Sequence, residues 1–248
     1  MKPLITIVVR KDSKRLPQKH LLQLAGKHLV EWTFLQAKKW RKGQVVCSTD
    51  DEKVKELAEI HNIKYFHQPD WCAKNDQNPK INAIRDALKQ SEKIFDRDFN
   101  HIIDLDATNP CRLIEHIDFA YERFKEKKCP VLFSVVPAKK NPAFNLVAWD
   151  EYRGWYLPCA FWKIGCLLPP CFDLNASIYI YTREWLLYAE LNYPVVSNCE
   201  TYEMPEWTRT DIDTEVDFKQ AERCFEEYVL GFKKELTTKS EELDKYYV

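Results

Sequence analysis

The sequence predicts an α/β protein built on a mainly parallel sheet with helices on both faces. Short apolar runs rich in β-branched residues alternate with segments whose apolar residues recur at helical spacing. Such alternation gives βαβ units, and their right-handed crossovers lay helices over both faces of one sheet. Charged clusters follow several of the apolar runs. That is where an open α/β sheet collects its ligand site, beyond the carboxyl ends of its strands.

The first strand is the run Leu4-Ile5-Thr6-Ile7-Val8-Val9, apolar enough to be covered on both sides. Helical spacing over 29–40 follows, then a strand at 44–48 and a helix at 51–61 that opens on acids. The rhythm continues with a strand at 63–66, a helix at 80–90, a strand at 101–105, a helix at 114–127 and a strand at 131–136. Residues 137–174 break it, concentrating proline and aromatic side chains. They are too apolar for a free linker and read as short antiparallel strands that pack against something, such as another subunit. A strand at 176–181 resumes the sheet, and 215–228 is a late helix. The organisation expected is one domain over 1–232 with 137–174 as an inserted arm, then a charged tail over 233–248.

Composition narrows the function classes. The chain has 248 residues, 45% hydrophobic and 30% charged, with a net charge of -1. This describes an ordinary globular protein and argues against a general binder of nucleic acid or membrane surfaces. No leader pattern opens the chain and no apolar run reaches the ~18 residues of a membrane span, so a cytoplasmic location is expected. The nine cysteines include no C-x-x-C pair, which favours scattered reduced thiols over a zinc site or a disulfide frame.

The predicted strand ends bring one chemistry together. After the first strand come Arg10-Lys11-Asp12-Ser13-Lys14-Arg15 and, shortly beyond, Lys19-His20. After the second come Ser48-Thr49-Asp50-Asp51; after the fourth, Asp104-Leu105-Asp106-Ala107-Thr108-Asn109-Pro110 and then Arg112. Thr210-Asp211-Ile212-Asp213 lies near the end. Cations on one loop and acids on others suit a polyphosphate with a divalent metal. Arginine and lysine neutralise phosphate oxygens, while carboxylates hold Mg²⁺. Each piece alone has a plainer reading: a solvated basic loop, a helix-capping Asp51, or an exposed D-x-D edge. Their convergence on one rim makes the case.

The stretches "RKDSKRLPQKHLLQLAGKHLVEWT", "VVCSTDDEKV", "DATNPCR", "FSVVPAKKNPAFN", "LNASIYIYTREWL" and "MPEWTRTDIDTEVDF" occur in this order. In order and spacing they resemble the acylneuraminate (nonulosonate) cytidylyltransferases, from about residue 3 to about residue 223. The resemblance implies a Rossmann-like nucleotidyltransferase fold and a homodimer in which an arm, here 137–174, completes the partner's sugar site. It implies a Mg²⁺-dependent reaction of CTP with an acidic nine-carbon sugar of sialic, legionaminic or pseudaminic type, giving a CMP-sugar and pyrophosphate. By match, Arg10, Lys14 and Lys19 are the catalytic cations. Arg10, Asp12, Ser13, Lys14, Lys19, His20, Ser48, Asp50 and Thr108 form the nucleotide site. Arg112, Lys163 and Asn175 serve the sugar side, and Asp211 and Asp213 hold the metal, with Asp106 as an additional ligand.

The chain also departs from the family pattern. Asp12 stands where the phosphate loop has glycine, His20 replaces an asparagine that helps to read the nucleotide, and Asp106-Ala107 replaces Gln-Pro. Glycine lets a backbone approach phosphate closely, whereas aspartate adds like charge. Around Lys163 the residues that usually anchor the sugar's carboxylate are replaced as well. Two alternatives stay open: a nucleotidyltransferase for another nucleotide or an eight-carbon 3-deoxy acid sugar, and a non-catalytic homologue.

Overall fold

The computed structural model describes residues 2–11, 15–73, 80–159, 169–190 and 193–231. The central sheet has seven strands: β1 (Leu4–Val9), β2 (Gln44–Thr49), β3 (Lys64–His67), β4 (His101–Leu105), β5 (Val131–Pro137), β6 (Phe172–Thr182) and β7 (Glu200–Glu203). Their order across the sheet is β7-β5-β6-β4-β1-β2-β3. Only β6 runs against its neighbours; the β1–β2, β1–β4, β2–β3 and β5–β7 pairs are parallel. The mainly parallel sheet read from the alternating pattern is therefore present.

Strand alternation divides the core into two layers. Ile5, Ile7 and Val9 face one side, where they pack with Phe34 and Trp40 of α1 (Leu29–Trp40), Leu57 of α2 (Glu52–Ile60) and Phe124 of α4 (Ile114–Lys127). Leu4 and Val8 face the other, against Ile81, Ile84 and Leu88 of α3 (Lys80–Phe95) and Leu186 of α5 (Arg183–Tyr188). A smaller cluster of Trp32, Cys111, Ile212, Ala221 and Phe225 seats α6 (Glu215–Cys224) beside the carboxyl rim.

Local chemistry explains where the elements begin. The Asp51 carboxylate accepts from the Lys53 N–H at 2.9 Å and caps α2. Thr214 and Asp217 cap α6 reciprocally, at 2.8 and 3.2 Å. Gly43 has no room for a side chain, since a Cβ there would lie 2.6 Å from Ile5 Cδ1. The short pair Gln23–Leu24 and Lys27–His28 closes through Ala25 and Gly26 at φ 46° and 81°.

The structure differs from the sequence reading in several places, among them the helix expected at 80–90, which runs to Phe95. The resumed strand starts at Phe172 rather than 176, because its first residues pair with Pro137, Val136 and Val135. The late helix is α-helical only to Cys224 and continues as a π-helical stretch over Phe225–Leu230. Edge strand β7 and helix α5 carry too few residues for a periodic signal. The expected short antiparallel strands within 137–174 are the hairpin Ala148–Asp150 and Gly154–Tyr156, where Trp149 faces Trp155. The expected tail, 233–248, lies outside the described residues.

The register of β6 slips between Leu174 and Tyr179, and Ala176 sits there at φ 53°. Two buried side chains hold this bulge. Asn175 accepts from Ser134 Oγ at 2.6 Å and donates to Thr208 Oγ1 at 3.1 Å. Arg112 donates from Nη1 to the Ser177 carbonyl at 2.5 Å and from Nη2 to the Asp106 carbonyl at 2.5 Å. It also reaches Gln36 Oε1 at 3.0 Å and Thr33 Oγ1 at 3.1 Å. Both side chains are 0% exposed. Arg112 and Asn175, expected on the sugar side, are thus placed with their polar groups bonded to protein partners that shape the rim.

Replacing Arg112 with leucine strands several buried acceptors at once. The expected loss is about 3–5 kcal/mol of unfolding free energy in urea titration. Arg112→Lys should restore little of it, because one ammonium cannot span the fan. A loss under about 1 kcal/mol would show that the fan does not hold the rim.

Candidate active site

The carboxyl ends of β1, β2 and β4 place the predicted loops on one rim. Lys11, just past β1, donates its backbone N–H to Asp50 Oδ1 at 2.7 Å, linking the first two strand ends. Arg15 and Lys19 of the first loop reach the last acidic segment. Arg15 Nη1 is 2.6 Å from Asp213 Oδ2, and Lys19 Nζ is 2.9 Å from Asp213 Oδ1 and from the Ile212 carbonyl. The cations and acids that the sequence placed at separate strand ends are in contact. Arg10 stands at the same strand end, half-buried. Asp12, Ser13, Lys14 and Lys163 lie outside the described residues.

Thr108 ties the fourth strand end to the acidic segment. Its carbonyl accepts from the Ile212 N–H at 3.0 Å. Its hydroxyl oxygen lies 2.9 Å from Asp106 Oδ1 and 2.5 Å from Asp211 Oδ1. A hydroxyl carries one proton and can satisfy only one of two carboxylates. Burial and the neighbouring Asp106 accordingly push the Asp211 carboxyl up to about 6. This corner therefore has an unmet demand for positive charge.

Asp106 is paired with a cation from another element. Lys80 Nζ lies 2.8 Å from Asp106 Oδ2 and 2.7 Å from Asp104 Oδ2. Asp106 Oδ1 accepts from the Thr108 N–H at 3.0 Å as well as from its hydroxyl. Burial favours the neutral acid, yet Lys80 and these bonds hold Asp106 well below the usual carboxylate range. Both oxygens of Asp106, expected as an additional metal ligand, thus have protein partners, as do both oxygens of Asp213. Lys80 is a member of the site that the sequence reading missed. It lies outside every quoted motif, in the first turn of a helix, and its only signal was a cation opening an amphipathic segment.

His20 is buried against the same corner. Burial is the main cause pushing its imidazole down to about 4, and Lys19 and Lys80 add to it against the pull of Asp106. The ring hydrogen-bonds to the Arg10 backbone. Its Nδ1 has no partner among the described residues, nor do Ser48 Oγ and Thr210 Oγ1. Groups of this kind at a rim await a ligand's polar atoms or water.

The rim thus combines cations able to bind phosphate with two carboxylates, Asp211 and Asp213, from one segment. The chain matches the sequence profile of the family described as Cytidylyltransferase over residues 4–148. It is 34% identical over 220 residues to the CMP-N,N'-diacetyllegionaminic acid synthase of Campylobacter jejuni, covering 88% of this chain and 93% of that protein.

The chain belongs to the nonulosonate cytidylyltransferase family.

A second relative is Post-translational flagellin modification protein B of Campylobacter coli, 32% identical over 225 residues, with 90% of this chain and 95% of that protein covered. Among solved structures, CMP:2-keto-3-deoxy-manno-octonic acid synthetase complexed with CTP superposes with a TM-score of 0.67 at 16% identity, covering 94% of this chain and 100% of that one. At that identity the likeness concerns the fold, a nucleotidyltransferase sheet with helices on both sides. A cytidylyltransferase thereby explains why this rim, rather than the opposite edge of the sheet, gathers the charges.

The buried neutral His20 sets a pH dependence. Its folded pKa lies below the ordinary value of 6.5, so the stability it confers is present above that pH and is lost as pH falls toward about 4. His20→Gln should reduce the stability difference between pH 7.5 and pH 4.5 by about 2 kcal/mol in urea titrations. An unchanged difference would place the acid sensitivity elsewhere, with His116 the next group to test, since burial also pushes it to about 4.

Proposed function

We propose that this protein transfers CMP from CTP to the anomeric hydroxyl of a nonulosonic acid of sialic, legionaminic or pseudaminic type, releasing pyrophosphate, with Mg²⁺ as its metal. The contact of Arg15 and Lys19 with Asp213 carries the reading, because cations able to bind phosphate lie against a carboxylate at the rim beyond the strand ends. The name of the relative in Campylobacter jejuni, a CMP-N,N'-diacetyllegionaminic acid synthase, supports an acidic sugar as acceptor.

The donor set fits Mg²⁺. The residues offer hard carboxylate oxygens, and the hydroxyl shared by Asp106 and Asp211 leaves one carboxylate in want of positive charge. Among the described residues no three His, Cys, Asp or Glu side chains converge on one point. That suits an ion bound by one or two carboxylates with phosphate oxygens and water completing its shell. Asp211 and Asp213 would hold it, and when bound it neutralises charge developing on the phosphates.

The chain's own groups do the rest. Arg10, Lys14 and Lys19, together with Asp12, Ser13, His20, Ser48, Asp50 and Thr108, are assigned to holding and orienting the triphosphate and nucleoside. The sugar hydroxyl oxygen then forms a bond to the α-phosphorus while the α–β bridging P–O bond breaks in line. Pyrophosphate departs with that electron pair, and the hydroxyl proton goes to water. Fixed cations stabilise the leaving charge without reorganising. Lys163 is assigned to the sugar's carboxylate.

Residues 137–174 serve as a dimerisation and sugar-site arm in this reading. Phe144, Trp149 and Trp155 are 71%, 60% and 74% exposed, more apolar surface than a small hairpin leaves in water without a partner. No helix among the described residues is long and apolar enough to cross a membrane, in keeping with work on soluble substrates in the cytoplasm.

Pyrophosphate release should require CTP, Mg²⁺ and a nonulosonic acid together. Asp213→Asn should lower turnover about 100-fold or more while leaving the fold intact. Release with an eight-carbon 3-deoxy sugar but with no nine-carbon acid would move the assignment to that substrate class. Absence of turnover with every sugar, and of any melting shift with CTP and Mg²⁺, would overturn the reading.

A further inference from the structure

Asp104 lies in β4 and Asp106 is the first residue past its end, two positions on, and both carboxylates converge on a single point. A pair of side-by-side carboxylates is the usual way a strand end holds a divalent cation. Here that point is filled by Lys80 Nζ, 2.7 Å from one carboxylate and 2.8 Å from the other. Thr6 Oγ1 donates to the remaining oxygen of Asp104 at 2.8 Å and fixes its orientation from β1. Lys80 stands at the first residue of α3, and the packing of Ile81, Ile84 and Leu88 against the sheet sets its position.

An ammonium has three N–H groups. Asp106 accepts one of them, Asp104 Oδ2 lies within ion-pair distance, and the side chain keeps 34% of its surface exposed. Asp106 also reaches Asp211 through the Thr108 hydroxyl. The cation is thus part of the same charged network as the carboxylates assigned to Mg²⁺.

We propose that Lys80 is a further catalytic residue, a resident cation seated where Asp104 and Asp106 would otherwise collect a second divalent ion. Its remaining N–H contacts a non-bridging phosphate oxygen of the nucleotide. The protein thereby runs with one metal ion, on Asp211 and Asp213, and supplies the second positive charge itself. This rests on the reading of the rim as a nucleotide triphosphate site.

The test uses the full chain and Mn²⁺ as the probe. Lys80→Ala should gain a Mn²⁺ site in the absence of nucleotide, seen by calorimetry or by electron paramagnetic resonance, with affinity about tenfold or more above any wild-type binding. Its turnover should fall about 100-fold and recover in part as Mn²⁺ rises, while Mg²⁺ with CTP still raises its melting temperature. A triple variant, Lys80→Ala with Asp104→Asn and Asp106→Asn, strands no buried charge. It should melt near the wild type, bind no Mn²⁺ without nucleotide, and stay slow even at high Mn²⁺. A merely structural tie between α3 and the sheet would instead leave the triple variant as active as the wild type, and that result overturns the proposal. So does a Lys80→Ala protein that gains no Mn²⁺ site. If wild-type protein shows no CTP-dependent shift, the failure lies with the nucleotide-site reading and the resident-cation proposal falls with it.

Discussion

A guanidinium with no access to water organises the functional edge of this protein. Arg112 ties the carbonyl of Asp106, the bulge of β6 at Ser177 and the side chains of Thr33 and Gln36 on α1 into one unit. Burial pushes its pKa down to about 10, against the pull of Asp106 and Asp104, so it remains charged at neutral pH. A buried charge is costly unless every donor is met, and here acceptors from three segments meet it. The loop after β4 therefore has little freedom, and Thr108 is held where its hydroxyl can join Asp106 to Asp211.

From that anchor the rim reads as a set of charges paired in anticipation of a ligand. Lys19 and Arg15 rest on Asp213, Lys80 rests on Asp104 and Asp106, and Thr108 is shared between two acids. A magnesium-bound triphosphate can exchange partners with such a set at small electrostatic cost. Phosphate oxygens would take over the cations as a bound metal took over the carboxylates. Like charges are not left facing each other during the exchange, and pre-placed charges need little rearrangement when the transition state forms.

Much of this was legible from the chain. Strands β1 and β4 and helices α1 and α4 fall on the residues that their apolar spacing marked. The rule that ligands gather beyond strand carboxyl ends brought Arg10, Lys19, Asp50, Thr108, Asp211 and Asp213 to one edge before any coordinates. What stayed hidden depends on burial and on long-range contact. Arg112 and Asn175 carry polar groups in motif positions, and nothing in their local sequence tells a ligand-facing group from one turned inward. Lys80 is distant in sequence from Asp104 and Asp106, so neither strand nor helix periodicity signals the meeting. The β6 bulge arises from hydrogen bonds made by Ser134, Asn109 and Thr208, each from a different part of the chain.

The central claim is that Asp211 and Asp213 hold the metal on which the triphosphate rests, with the cations of the first loop released to the phosphates. A crystal structure with CTP and Mn²⁺, using the anomalous signal of manganese, tests it most directly. A manganese peak is expected on the Asp211 and Asp213 carboxylates, with Lys19 moved from Asp213 onto a phosphate oxygen. A peak on Asp104 and Asp106 with Lys80 displaced, or a nucleotide bound away from this rim, would contradict it.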